Sequence, residues 1–218
     1  MRLLCTSDLH SDFEALKKIC DVANGFDAVV VAGDLTNFGS AKVALHMIGE
    51  LKSKVKNLFL VPGNCDLEET SELYRDMDVS LHGLGKVYGE IGFFGVGGSN
   101  PTPFNTPLEY SEEDIRSMLE EGYEAVKDSK VKILVSHPPP FESVDKTSSG
   151  HSAGSRAVRE FMKGNRIDLV VCGHIHEAKG SKSVGDAMVV NTGPACYGYV
   201  EATIDEEDGR VSYKFVGV

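Results

Sequence analysis

Seven side chains able to hold a cation stand at the ends of short apolar runs. They are Asp8 and His10 in CTSDLH, Asp34 in VAGDL, Asn64 in VPGNCD, His137 in LVSH, and His174 and His176 in CGHIH. Two carboxylates, up to four imidazoles and one amide make a poor core, because burying such groups without partners is costly. A metal centre offsets that cost, and nitrogen and oxygen donors without thiolate suit Mn, Fe, Zn or Ni. The set exceeds the four ligands of one tetrahedral zinc and matches two cations sharing one carboxylate. The D-x-H and H-x-H spacings fit, because residues i and i+2 of an extended loop point the same way.

The elements that must position these groups follow from the patterning. RLLCTSDLH, DAVVVAGDL, NLFLVPGN, VKILVSH and DLVVCGHIH each give a short apolar run rich in β-branched residues, as expected of strands buried on both faces. Amphipathic helices are predicted in SDFEALKKICDVAN, with Phe13, Leu16, Ile19, Cys20 and Ala23 on one face, and in SAKVALHMIGELKSK, with Val43, Met47, Ile48 and Leu51. A third, SEEDIRSMLEEGYEAVKD, has Ser111 as N-cap and acids in its first turn, and SRAVREFMKGN is a shorter fourth. KVYGEIGFFGVGG reads as strand–turn–strand, AMVVNTG as a strand, and YVEATIDEEDGRVSYKFVGV as a hairpin about Asp208-Gly209. The sum is a mixed α/β fold, one large sheet or two packed sheets flanked by helices, in a single domain over residues 1–218. In such sheets the loops leaving the carboxyl ends of the strands converge on one crevice, so the seven groups are expected to meet.

Composition narrows the function. Hydrophobic residues are 41% and charged residues 25% of 218, a globular balance. The N-terminus turns polar by residue 6, too early for a signal peptide, and no apolar stretch is long enough to span a bilayer. A soluble, cytoplasmic protein with no membrane partner is therefore expected. The five cysteines form no C-x-x-C pair; apart from Cys65 they are expected to pack as small hydrophobes. A formal net charge of −11 disfavours extended nucleic-acid binding, a long-DNA nuclease included, but not a small phosphorylated substrate.

As a set and in this order, DLH (8–10), GDL (33–35), GNCD (63–66), SH (136–137) and GHIH (173–176) resemble the five blocks of the calcineurin-like metallophosphoesterases. The resemblance implies a four-layer α/β/β/α sandwich with the metal site at the C-terminal ends of the strands. It implies that Asp8, His10 and His176 hold one divalent ion, that Asn64, His137 and His174 hold the other, and that Asp34 bridges them, with Mn the leading metal. A metal-bridging hydroxide would then attack a small phosphodiester or phosphomonoester. The GNCD block together with VCGHIHE and GGSNPTPFNTPLEYSEEDI is similar to a prokaryotic branch related to cyclic-nucleotide phosphodiesterases.

Cys65 stands where many members of that family carry a histidine thought to protonate the leaving group, and a thiol is a weak donor without charge near neutrality. A cysteine-phosphatase reading fails, because the Arg it requires six positions on is Ser71 here, and an aspartyl-phosphate route at Asp8 fails because His10 stands where an acid is needed. The residues expected to bear on catalysis are Asp34, Asn64 and His151, the last in the Gly/Ser-rich SSGHSAGS, where backbone amides at a helix start could also bind a phosphate. His82 in SLHG is a weaker pocket candidate, otherwise a surface turn, and His46 an ordinary helix residue. Asp66 either orders its loop, orients a histidine or is a solvated turn residue, and the Pro-rich loop 99–107 shapes the pocket or a contact between copies. Loss of the loop histidine favours diesters and activated esters over monoesters. The competing reading is a binding scaffold of the same fold that has lost its chemistry; that none of the seven ligands is replaced favours an enzyme.

Overall fold

The computed structural model describes residues 1–217. Its first sheet is built from β1 (Arg2–Thr6), β2 (Ala28–Ala32) and β3 (Asn57–Val61), which run parallel, extended by the antiparallel β10 (Tyr199–Ile204) and β11 (Val211–Val216). The second sheet has β5 (Ile91–Val96), β6 (Val131–Ser136), β7 (Leu169–Cys172) and β9 (Ala187–Asn191) in parallel, with β4 (Gly85–Tyr88) and β8 (Gly180–Val184) as antiparallel edges.

Alternation along the strands sorts the side chains into three apolar layers. Leu3, Cys5, Val30, Val61, Ile133, Val135 and Val171 fill the space between the sheets, where Phe59 stacks on Phe93 with ring centroids 4.5 Å apart. Leu4, Val29, Val31 and Leu60 face the other way, onto α1 (Phe13–Ala23), α2 (Ala41–Lys52) and α3 (Glu68–Asp76). Phe94, Leu134 and Val170 of the second sheet face α4 (Glu112–Glu124) and α5 (Arg156–Gly164). The result is the expected α/β/β/α sandwich. Each fully buried valine of β2 contributes about 1.5–3 kcal/mol, so these strands are continuous apolar runs because both faces are covered.

Several local expectations are corrected. Phe13, placed on the buried face of α1, is 46% exposed and packs on His46, 5.6 Å away between ring centroids, because it overhangs the first turn after the Asp12 cap. Helix α3 escapes the sequence pattern because only Thr70, Ser71 and Tyr74 are buried on it, so no apolar stripe marks it. Strand β8 escapes because it is a mostly exposed polar edge. Cys5, Cys20 and Cys172 are buried as expected, but Cys196 is exposed. Among the described residues no helix is long and apolar enough to cross a membrane.

His82 is neither in a pocket nor on a surface turn. It is 5% exposed, and its Nδ1 accepts the Gly97 N–H at 2.8 Å, joining the segment after α3 to the end of β5. Burial, aided by Arg75, pushes its pKa down to about 4. Because the unfolded chain binds this proton first, near pH 6.5, stability is lost as pH falls from about 6.5 toward 4. An Asn side chain can accept from Gly97 without titrating, so His82→Asn should flatten the fall in melting temperature over that window. Parallel losses in variant and wild type would contradict this assignment.

Candidate metal centre

The parallel strands of both sheets deliver their carboxyl ends to one edge of the sandwich. Asp8 and His10 follow β1, Asp34 follows β2, Asn64 follows β3, His137 follows β6, and His174 and His176 follow β7. The first two loops are stitched together by backbone bonds from Asp8 to Gly33, His10 to Asp34 and Ser11 to Leu35, at 2.9–3.1 Å. Asp8, His10, Asp34 and His174 all lie at φ between 49° and 67°, the left-handed region that non-glycine residues seldom occupy. Such backbone strain collects at functional sites.

The glycines of the motifs are required by close approach. A Cβ at Gly63 would sit 1.9 Å from Asp34 Oδ1, and one at Gly33, itself at φ +92°, would sit 2.2 Å from the His137 ring. Asp66 does not face solvent. Fully buried, it accepts from the backbone of Gly63, Leu35 and Thr36 and from Thr36 Oγ1, at 2.7–3.3 Å, and so ties the GD and GN loops into one piece. Burial, with Asp34 nearby, raises its pKa to about 6.

Within this frame the expected groups converge. Asp34 Oδ2 lies 3.6 Å from His10 Nε2 and 3.4 Å from His137 Nε2, so one carboxylate oxygen approaches both imidazoles. On one side Asp8 Oδ1 is 3.8 Å from His10 Nε2 and 3.3 Å from His176 Nε2, and the two imidazole nitrogens are 3.3 Å apart. On the other side Asn64 Oδ1 is 2.9 Å from His137 Nε2, and the rings of His137 and His174 lie 5.0 Å apart. Donors 2.0–2.2 Å from one cation are about 3–3.6 Å from each other, and the separations here, 2.9–3.8 Å, bracket that range. Asp8/His10/His176 and Asp8/Asp34/His137 each form a group able to hold an ion, as does His10/Asp34/Cys65.

Electrostatics agrees. Asp8 and Asp34 are both at least 97% buried. Burial opposes their ionisation, but neighbouring imidazoles prevail, His176 and His137 for Asp8 and His137 above all for Asp34, and hold both carboxyls below the usual range. His137 is the counterpart: burial lowers its pKa, but Asp34 overrides this and raises it to about 9. Its Nδ1 donates to Ala32 O at 2.8 Å, while its Nε2 faces only acceptors, Asn64 Oδ1 and Asp34 Oδ2. A proton on Nε2 therefore stands where a cation would compete for the same oxygens. Burial and the charge of His137 push His174 down to about 4, which leaves it neutral and able to ligate.

The groups around the donors fix their orientation. Asn64 Nδ2 donates to Thr106 Oγ1 at 3.0 Å, which turns Oδ1 toward His137. Thr106 is in turn held by Glu109, which also accepts from Thr102, so the loop 99–107 is clamped by a single carboxylate. Cys65 is half-buried, and burial, together with Asp34, raises its thiol pKa, so it stays protonated. Its backbone N–H donates to Asp34 Oδ1 at 2.8 Å. That observation suits a loop residue and not a nucleophile.

Two cavities flank the centre. One of about 690 Å³ reaches His174 between the loop 99–107 and the segment 147–154. The other, about 300 Å³, is lined by Asp8, His10 and His176 with Cys196 and Tyr197. His151 does not line either; it is exposed, and its Nδ1 pairs with Ser149 Oγ at 3.1 Å. The start of α5 is not a phosphate cradle, because Glu112 already occupies it, accepting from the amides of Arg156 and Ala157 and from Ser155 Oγ. In the sequence Glu112 reads only as a first-turn acid of α4, and Thr106 as one polar residue among prolines. Neither carries a local signal for its contact.

The fold and the site together define a phosphoester-hydrolase scaffold. Residues 1–178 match the family model for calcineurin-like phosphoesterases, and the chain belongs to that family. It is 36% identical over 204 residues to the uncharacterized protein MJ1162 of Methanocaldococcus jannaschii, covering 90% of each chain. Among solved structures it resembles TT1561 of Thermus thermophilus, with a TM-score of 0.75 and 21% identity over 98% of both chains. It also resembles a dimetal phosphatase of Danio rerio, with a TM-score of 0.64 and 10% identity over 100% of this chain and 96% of that one.

Replacing Thr106 with Val removes the acceptor that orients Asn64. Metal affinity measured by calorimetry should fall about 10–100-fold with the melting temperature of the metal-free protein little changed. Unaltered affinity would show that Asn64 needs no such support.

Proposed function

We propose that the chain is a dinuclear-metal phosphodiesterase in which Asp8, His10 and His176 hold one divalent ion, Asn64, His137 and His174 the other, and Asp34 both. The observation that carries the reading is the single Asp34 oxygen shared between His10 and His137. Divalent ions held there would lower the pKa of a bound water and neutralise charge on the phosphate; these donors suit Mn, Fe, Zn or Ni. The protein's own part is to fix the donors. His137 is locked by Ala32 O, Asp8 by Ser7 Oγ and the His174 N–H, and Asn64 by Thr106.

Two features support a diester over a monoester. Cavities open on both flanks of the centre, one beside His174 and one beside His10 and His176, so each arm of a diester has space of its own. Among the described residues the only imidazoles lining either cavity are those assigned to the ions, and Cys65 is a weak proton donor, so esters with a good leaving group are served best. His151 is not assigned the proton donor's role. The scaffold reading has against it the completeness of the donor set.

The protein stripped of metal and reloaded with Mn²⁺ should hydrolyse bis-p-nitrophenyl phosphate about tenfold or more faster than p-nitrophenyl phosphate. Asp34→Asn should lose about 10³-fold or more in rate. Preference for the monoester would overturn the diester assignment, and full activity in Asp34→Asn would overturn the bridge.

A further inference from the structure

The larger cavity holds chemistry that the metal centre does not use. Arg156, the first residue of α5, is exposed and lines it, its guanidinium carbon 3.9 Å from the centroid of the Phe141 ring, which lines the same wall. Stacking of this kind holds a guanidinium in one orientation while leaving its donors free. Arg2, Arg166 and Arg210 are all ion-paired, whereas the Arg156 side chain has no ion-pair or hydrogen-bond partner among the described residues. Two acids share the cavity, but both already serve the fold: Glu112 accepts from the start of α5, and Glu177 accepts the Ser148 N–H at 2.7 Å. Among the described residues, Arg156 is the one Arg or Lys lining the cavity. Two further atoms on residues of that wall, Asn100 Oδ1 and Ser152 Oγ, are buried with no hydrogen-bond partner among the described residues.

Building on the diester reading, we propose that Arg156, presented by Phe141, anchors a second oxyanion on the substrate arm that lies in this cavity. The substrate class is a small phosphoester carrying a further phosphate or carboxylate beyond the reacting phosphate. The volume suits it, since about 690 Å³ falls within the range of sites that enclose small molecules. A planar guanidinium with free donors recognises a phosphate or carboxylate in bidentate fashion. In a chain of net charge −11, a cation on the wall of this cavity also bears on which anionic substrates enter.

The test is binding, so that it does not depend on turnover. Alkylphosphonates with chains of three to six carbons, ending in a methyl group, a carboxylate or a second phosphonate, are titrated calorimetrically into the Mn²⁺-loaded protein. At the best chain length an anionic end should tighten binding about tenfold or more over the methyl end, and the carboxylate and phosphonate series show which oxyanion is preferred. Arg156→Met keeps the apolar stem on Phe141 and should abolish the gain while leaving the methyl series unchanged. Arg156→Lys should restore only part of it. Metal stripping by the diphosphonates would be equal in wild type and variant, and so cannot imitate this pattern. Equal binding of all three ends to the wild type, or a gain that survives in Arg156→Met, would overturn the anchor. Failure to hydrolyse diesters would instead count against the reading on which it rests.

Discussion

The structure depends on two buried carboxylates held close together. Asp8 and Asp34 are nearly inaccessible and each lies within 3.8 Å of the same His10 nitrogen. Like charges in a low-dielectric interior destabilise each other unless positive charge lies between them. Against the effect of burial, Asp34 raises the pKa of His137 to about 9, so its imidazolium supplies some of that charge, and Asp8 also raises the pKa of His176. An arrangement that needs protonated histidines to balance it is one that cations can complete.

The rest of the fold can be understood as the means of holding that arrangement. Two parallel-stranded sheets packed face to face bring five loops to one edge, three from the first sheet and two from the second. The loops are short, and they reach the centre by left-handed turns at Asp8, His10, Asp34 and His174 and by glycines pressed against Asp34 and His137. Strain of that kind persists only where the surroundings over-determine it. Asp66, buried and accepting from three backbone N–H groups on two loops, is one such determinant. The apolar layers on either side of each sheet make the strand ends rigid enough for the donors to stay in place.

Much of this was legible in the sequence because its signals are local. Apolar runs ending in Asp, Asn or His mark the strands and donors together, and the D-x-H and H-x-H spacings mark the loops. What escaped has a common physical cause. Helix α3 and strand β8 bury too few apolar side chains to show a period. Glu112 caps a helix that begins 44 residues away, and Thr106 orients a side chain 42 residues back. His82 sits in a turn-like sequence, yet becomes buried because the end of β5 closes over it. Such contacts are set by which loops the topology brings together, and nothing in their immediate sequence announces them. His151 shows the reverse: a promising local context whose side chain faces solvent.

The most direct measurement is anomalous diffraction from crystals grown with Mn²⁺. Two peaks separated by about 3.5–4 Å, with Asp34 between them and His10 and His137 on opposite sides, are the expected result. One peak, or two that do not share Asp34, would contradict the dinuclear centre.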